Sequence, residues 1–312
     1  AISAGYLNQK GIVEGTNYDR YNFRFNTQHS FLNNKAHLGL TVSGYIGKTK
    51  DLIEGAGATI ARITQMAPFV IPKIEGYGWT DWFYSDAIKE AGGGQTVDNS
   101  NLNTIANLTI NLTPRLTFES ALSYVTNNDR QLSYAPNVDL FLVTRAADGT
   151  SIIGKNNSRE SSISKSSNKY GTISSWANLN YAYDLAKDHH FKALAGFQQF
   201  QWKGNYFQTS IRRLSANLPY FSVGDPSSAK NNDWGSKETS VGFFGRLNYD
   251  YKGKYLFEGN LRYDGASKFA RGHKWGTFPS FSAGWRVSQE RFFKNITFVQ
   301  DLKIRGSWGI LG

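Results

Sequence analysis

The chain has 312 residues, a formal net charge of +11, 15% aromatic residues, 31 glycines, one methionine and no cysteine. A mean hydropathy of -0.46 and the lack of any apolar run near 18 residues exclude α-helical membrane spans, and the absence of cysteine excludes a disulfide framework or a thiolate metal site. The positive charge comes with no basic stripe and no nucleic-acid-binding motif, so it is assigned to Lys and Arg in loops and an inner lining, and no nucleic-acid partner is expected.

Soluble all-β folds and β-barrels remain, and the hydropathy pattern favours strands throughout. In a strand, successive side chains point to opposite faces. Tyr21, Phe23, Phe25 and Phe31 alternate with Asn22, Arg24, Asn26, Gln28 and Ser30. Leu38, Leu40, Val42 and Ile46 then oppose His37, Thr41 and Ser43. Leu102, Ala106, Leu108, Ile110 and Leu112 oppose Asn103, Asn107, Thr109 and Asn111. Leu116, Phe118, Leu122 and Tyr124 oppose Arg115, Thr117, Glu119 and Ser123. Further apolar rows are Ile173–Ala177–Leu179–Tyr181–Tyr183 and Phe191–Ala193–Ala195–Phe197. Val241, Phe243, Leu247, Tyr249 and Tyr251 form the next, followed by Tyr255, Phe257, Leu261 and Tyr263. Phe281, Ala283, Trp285 and Val287, and finally Leu302, Ile304, Trp308 and Ile310, complete the series. Phe23, Leu40, Leu108, Phe118, Phe243, Phe257 and Ile304 are expected to face lipid, with Phe257 near the midplane; Arg24, Asn107, Glu119, Arg246, Glu258 and Arg305 are expected to face the interior.

These segments make about ten strands, many near the ~9–11 residues that cross a bilayer at a ~45° tilt. Their joins alternate. Residues 32–35, 113–114, 184–189 and 252–253 are short, whereas 49–101, 127–168, 212–238 and 265–276 are long; 289–301 takes a short-side slot yet is moderately long. Outer-membrane barrels have short periplasmic turns and long extracellular loops, and a soluble sandwich has no reason to lengthen every second join. The expected fold is therefore an all-β, transmembrane, antiparallel up-and-down β-barrel. It is partial, with residues 1–312 as part of one barrel domain and the four long joins on the outside. Tyr181, Tyr183, Tyr249, Tyr251, Tyr255 and Tyr263 lie near strand ends, where aromatic girdles meet headgroups, although aromatic β-propensity alone would also place them in strands.

No catalytic constellation is present: neither a phosphate loop nor a nucleophile elbow occurs, and no cofactor is implied. His189-His190 reads as a solvated turn rather than a metal pair, and His29 and His37 flank a short turn in structural roles. Residues 76–84 set aromatics around one carboxylate, so Trp79, Asp81, Trp82 and Tyr84 are the candidate substrate-binding residues, through stacking and hydroxyl or amide hydrogen bonds. The same rings can instead pack the loop on itself. Gly92-Gly93-Gly94 reads as a flexible tip and the Ser/Asn-rich 156–168 run as a mobile polar loop.

The last third carries a resemblance. Phe244-Gly245-Arg246-Leu247-Asn248-Tyr249 leads to Arg262-Tyr263-Asp264-Gly265-Ala266-Ser267-Lys268-Phe269 and Trp275-Gly276-Thr277-Phe278-Pro279-Ser280. Ser282-Ala283-Gly284-Trp285-Arg286, Glu290-Arg291-Phe292 and Leu302-Lys303-Ile304-Arg305-Gly306-Ser307-Trp308-Gly309 follow in order. This ordered set resembles the SusC/RagA family of TonB-dependent outer-membrane transporters of Bacteroidota. The segment Tyr21-Asn22-Phe23-Arg24 and Met66-Ala67-Pro68 resemble it more weakly.

The resemblance implies a plugged barrel in the outer membrane of a Gram-negative, Bacteroidota-like cell. It would import oligosaccharides or peptides, energised through TonB by segments N-terminal to Ala1 and capped by a SusD-like lipoprotein. Both chain ends read as cut, so a fragment is expected, under half of the about 22 strands such transporters use. Two other functions stay open: a surface adhesin or passive barrel that binds ligands through its long loops, and a soluble glycan-binding β-protein.

Overall fold

Each alternating segment forms a strand, and the strands pair in chain order. The computed structural model describes residues 1–311 apart from 69, 150, 157–158 and 294–297; residues 157 and 158 of the polar run, four residues of the 289–301 join and Gly312 thus lie outside the described residues. The elements are β1 (Ile2–Lys10), β2 (Asn17–Phe31), β3 (Ala36–Asp51), α1 (Ala56–Gln65), β4 (Lys73–Ile74), β5 (Gly78–Trp79), α2 (Tyr84–Glu90), β6 (Gly94–Thr113), β7 (Leu116–Ala135), β8 (Leu140–Arg145), β9 (Ser151–Asn156), β10 (Ser162–Leu185), β11 (His189–Arg212), β12 (Asp225–Tyr251), β13 (Tyr255–Ala266), β14 (Trp275–Arg286) and β15 (Lys303–Gly309). Among the described residues, eleven of the strands form one sheet, in the order β1-β2-β3-β6-β7-β10-β11-β12-β13-β14-β15, with every neighbouring pair antiparallel. The sheet is a meander, a barrel wall not closed on itself.

The strand β1 is not legible in the sequence. Its apolar row holds only Ile2, Ala4 and Tyr6, which sit opposite Phe25, Phe23 and Tyr21 of β2. The long joins are also shorter than the sequence suggests, at 52–93, 136–161, 213–224 and 267–274, because strands continue past the point where alternation stops. The strands β10 and β11 run for 24 residues each and β12 for 27, well beyond the ~9–11 a bilayer needs. In those extensions polar residues such as Lys165, Lys169, Lys203 and Lys237 break the apolar row, so period two vanishes while the backbone ladder continues. Much of the polar 156–168 run, expected as mobile loop, is therefore the start of β10.

The short turns at 32–35, 114–115, 186–188 and 252–254 occupy every second join and so share one end of the sheet. Their chemistry is local. Lys252 and Gly253 both take left-handed backbone (φ 58 and 67), and the Gly253 amide donates to the Asp250 carboxylate at 2.6 Å. At the proline turn the Thr113 hydroxyl accepts from the Arg115 and Leu116 amides, at 3.2 and 3.0 Å.

The register fixes the faces. Phe25 opposes Val42, Leu40 opposes Ala106, Ala106 opposes Leu122, Leu179 opposes Phe118 and Ala195, Phe197 opposes Phe243, Phe243 opposes Tyr263, and Trp285 opposes Ile304. All seven residues expected on the apolar face therefore lie on one face, and all six expected inside lie on the other. Exposure runs opposite to that of a soluble protein. In β13, Tyr255, Phe257, Leu261 and Tyr263 are exposed while Glu258, Asn260, Arg262 and Asp264 are half-buried. The polar face is laced with hydrogen bonds: Arg246 to Asn260 at 2.7 Å, Asn260 to Glu258 at 2.9 Å, Arg262 to Asp264 at 2.9 and 3.0 Å, and Asn180 to Glu119 at 3.0 Å. A concavity of about 930 Å³ on this face is lined by His190, Lys192, Asn248, Glu258, Ser282 and Arg305 among others.

One placement differs from expectation. Phe257 pairs with Tyr249, two positions from the Tyr251–Tyr255 pair that closes the Lys252 turn. It sits near the short-turn edge of the apolar band, and Leu247, four residues from Tyr251 and six from Val241, is the deeper position.

Candidate functional site

At the long-strand end, residues 52–93 and 136–161 fold together into a lobe. Asp51, the last residue of β3, starts it: its carboxylate accepts from the Leu52 and Ala56 amides, at 2.7 and 2.9 Å, and so holds the first turn of α1. The lobe's core is Tyr84, Ala87 and Ile88 of α2 against Ala135 at the end of β7 and Leu140 of β8, with Ile53, Trp79 and Val138 packed around it. Ala135 belongs to the sheet's polar-face row. Its neighbour Tyr134 belongs to the apolar row and enters a second core with Ile163, Ile211 and Leu214, covered by Phe221 and Val223 of the 213–224 join. The lobe thus folds over the polar side of the wall, and the 213–224 join folds over the other.

The three glycines expected as a flexible tip form a tight helix exit instead. The Gly92 and Gly93 amides donate to the Lys89 and Ile88 carbonyls at 3.0 and 2.8 Å, with Gly92 left-handed at φ 80. A Cβ on Gly93 would stand 2.5–2.6 Å from Pro136, Ile88 and the Tyr134 carbonyl, so only glycine lets α2 approach β7 there.

The four candidate residues lie on one lobe but in different settings. The Tyr84 side chain is buried in the core, which pushes its hydroxyl pKa up, and the Arg159 guanidinium covers its ring at 4.1 Å. Trp79 is half-buried; its indole N–H donates to Glu90 at 3.0 Å, and the Lys73 ammonium stands 4.3 Å above its ring. Lys73 also bonds Glu90, at 2.8 Å, and with Trp79 holds that carboxyl below the usual carboxylate range. Asp81 accepts from Arg159 Nε at 3.1 Å. Only Trp82 presents its ring to solvent, at 44% exposure, with its carbonyl 3.5 Å from Arg62.

The hub of the lobe is Glu54, which the sequence does not single out. Its carboxylate accepts from Arg62, from the Ser85 hydroxyl at 2.9 Å and from Arg159 at 3.2 Å. Burial pushes its pKa up, but Arg62, Ser85 and Arg159 outweigh that and hold it below the usual range. Because the folded pKa is depressed, this contribution is complete above the unfolded value and is lost as pH falls through the folded one. Arg159 reaches Glu54 across 105 residues, and no local pattern marks such a pair. Glu54→Gln is expected to weaken the lobe by roughly 1 kcal/mol, since the pairs remain partly solvated. Limited proteolysis at neutral pH should then cut 52–93 faster than in wild type; an unchanged rate would remove Glu54 from this role.

The histidines are dispersed. His189 bonds the Tyr249 hydroxyl at 2.7 Å, and His190, on the opposite face, bonds Asp184 at 2.6 Å. Among the described residues, no three His, Cys, Asp or Glu side chains converge as a metal site would need.

A sequence-ordered antiparallel meander with alternating long and short joins, apolar outside and polar inside, defines an up-and-down barrel wall. A protein-family model described as TonB dependent receptor-like, beta-barrel, matches residues 12–309, and the chain belongs to this family. It is 27% identical to the TonB-dependent receptor SusC of Bacteroides thetaiotaomicron, over 100% of this chain and 32% of that protein. It is 26% identical to TonB-dependent receptor P39 of Formosa agariphila, over 99% of this chain and 29% of the relative. The chain thus spans about a third of the curated relatives it matches. Among solved structures, the RagAB peptide transporter has the same fold, with a TM-score of 0.73 at 17% identity over 99% of this chain and 34% of that one.

Proposed function

We propose that this chain is part of the wall of a TonB-dependent importer in the outer membrane of a Bacteroidota-like cell, and that the cargo is an oligosaccharide or a peptide. The observation that carries the reading is the inverted wall: an exposed apolar face continuous across eleven strands backs a hydrogen-bonded polar face. The long joins 52–93, 136–161, 213–224 and 267–274 are then extracellular, and residues 1–312 form part of one barrel domain. A SusD-like lipoprotein caps the mouth, and TonB energises the transporter through other segments of the full protein, as the family membership and the SusC similarity suggest.

In this reading the lobe over the polar side stands at the mouth and contributes to cargo capture. Trp82 stacks on the cargo, while Trp79, Asp81 and Tyr84 hold the loop that presents it and take part in binding where the cargo reaches them. One stacked ring supplies ~1 kcal/mol, so Trp82→Ala should weaken capture about fivefold at limiting nutrient. Uptake of labelled cargo at matched surface level measures this. Unchanged uptake in both Trp82→Ala and the Trp79→Ala, Trp82→Ala double variant would make the cluster purely structural. Uptake that persists without TonB would instead favour a passive barrel.

A further inference from the structure

Beyond the apolar band, the same outward face carries cations that nothing in the transport reading uses. On β12 the band runs from Tyr251 to Val241, about 34 Å along the strand at ~3.4 Å per residue, or about 24 Å along the membrane normal at a ~45° tilt. That matches the ~25 Å apolar belt of such barrels. Lys237 lies four positions past Val241, about 10 Å further along the normal by the same arithmetic, at the level of headgroups.

The register builds a patch there. Lys203 of β11 sits directly opposite Lys237 of β12, and its partner on β10 is Gly171. In the next row, Lys169 of β10 opposes Asn205, which opposes Gly235. Directly opposed side chains have Cβ atoms about 4.5–5.5 Å apart and diagonal ones about 7–8 Å, so the three ammonium groups can converge on one anion. Gly171 and Gly235 put no side chain between them. All three lysines are exposed, and none forms an ion pair with a described residue. Elsewhere the lobe and loops match charges closely, as at Arg213, which takes Asp225 at 2.6 Å and holds its carboxyl at about 2. Like charges placed face to face across a ladder destabilise it unless an anion lies between them. On the apolar face, the two rows hold no carboxylate from β6 to β12; Asp233 lies two positions past Gly235.

We propose that Lys169, Lys203 and Lys237 form a docking site for the phosphate of a lipid headgroup in the leaflet at the long-strand end. The position decides for lipid: the patch is on the face that turns toward the bilayer, directly beyond the apolar band, where anionic headgroups lie beside basic side chains. It rests on the reading of the chain as a membrane wall.

The test uses the full-length protein purified from membranes and reconstituted in phosphatidylcholine vesicles with a minor share of phosphatidic acid. Lipid retained on extraction into mild detergent is counted by native mass spectrometry. The triple variant K169Q/K203Q/K237Q should retain several-fold less phosphatidic acid than wild type, with phosphatidylcholine unchanged. K169R/K203R/K237R should keep it, as should K192Q on the polar face. Equal retention in wild type and the glutamine triple variant would overturn the proposal. So would complete displacement of phosphatidic acid by inorganic phosphate, which would make the site one for a free anion. Loss of a co-purified protein from the triple variant with lipid unchanged would overturn it too, in favour of a protein contact. Heat-modifiable migration on gels reports barrel assembly separately. If wild type lacks it, the membrane-wall reading fails, whereas an assembled wild type and variant with equal lipid retention removes only the lysine site.

Discussion

An arginine in place of Leu247 is expected to destabilise the wall by ~2–4 kcal/mol, and one in place of Phe257 by only ~0–1 kcal/mol. Both residues are on the apolar face, at 54% and 53% exposure, so solvent accessibility does not separate them. Depth does. Leu247 opposes Ala193 on one side and Gly259 on the other, and on β12 it lies four residues from the turn end at Tyr251 and six from the far edge of the apolar band at Val241. Phe257 opposes Tyr249 beside the turn, where Tyr251, Tyr255 and Trp285 make an interfacial row and a long cationic side chain can reach water. Reversible unfolding of the full-length protein from lipid vesicles, titrated with denaturant, gives both values. Equal costs would mean that the apolar face is not bounded by a bilayer. As a control, Asn260→Ser on the polar face should stay near zero, because its hydrogen bonds with Arg246 and Glu258 lie on the face where water can take their place.

The depth gradient also shows what the sequence makes legible. Lipid on one side and water on the other force a two-residue period, and wherever both are present the strands can be read directly, as in Tyr255–Tyr263 and Phe281–Trp285; Val287, expected in the same row, lies past the end of β14 and is buried. Above the bilayer that asymmetry ends. Lys165 to Gly171 and Asn231 to Lys237 are strand in the structure, yet both of their faces meet polar surroundings, and only the backbone ladder betrays them. The strand β1 fails for a related reason, since its apolar row is three residues long and Leu7 on the opposite face breaks the alternation. The lobe was visible as an aromatic cluster but not as an architecture. Its anchors are Glu54, Arg62 and Arg159, residues from distant joins whose meeting depends on the fold being in place. The site reading of Tyr84 follows the same logic. An aromatic ring beside carboxylates looks alike in sequence whether it is presented to a ligand or buried, and here α2 turns it into the core.

The lobe's own core gives the second large effect. Ile88 is 1% exposed and packs with Tyr84, Ala87, Ala135 and Leu140, so Ile88→Ala removes buried methyl groups from a site with little room to collapse. The expected cost is ~2–5 kcal/mol, large against the stability of so small a unit. It falls on the lobe, because α2 touches the sheet mainly through the first residues of β6 and the end of β7, while the barrel ladder continues below without it. The barrel should therefore still assemble and migrate in a heat-modifiable way, while 52–93 becomes open to protease. Trp82→Ala should behave in the opposite manner, leaving the lobe resistant because that ring lies outside the lobe's core. If both variants lose cargo capture, with protease sensitivity only in the first, the lobe is a presented binding element. A protease-resistant Ile88→Ala protein would show that the lobe is held by its ion pairs rather than by this core. A barrel that fails to assemble would show that the lobe and the wall fold as one unit.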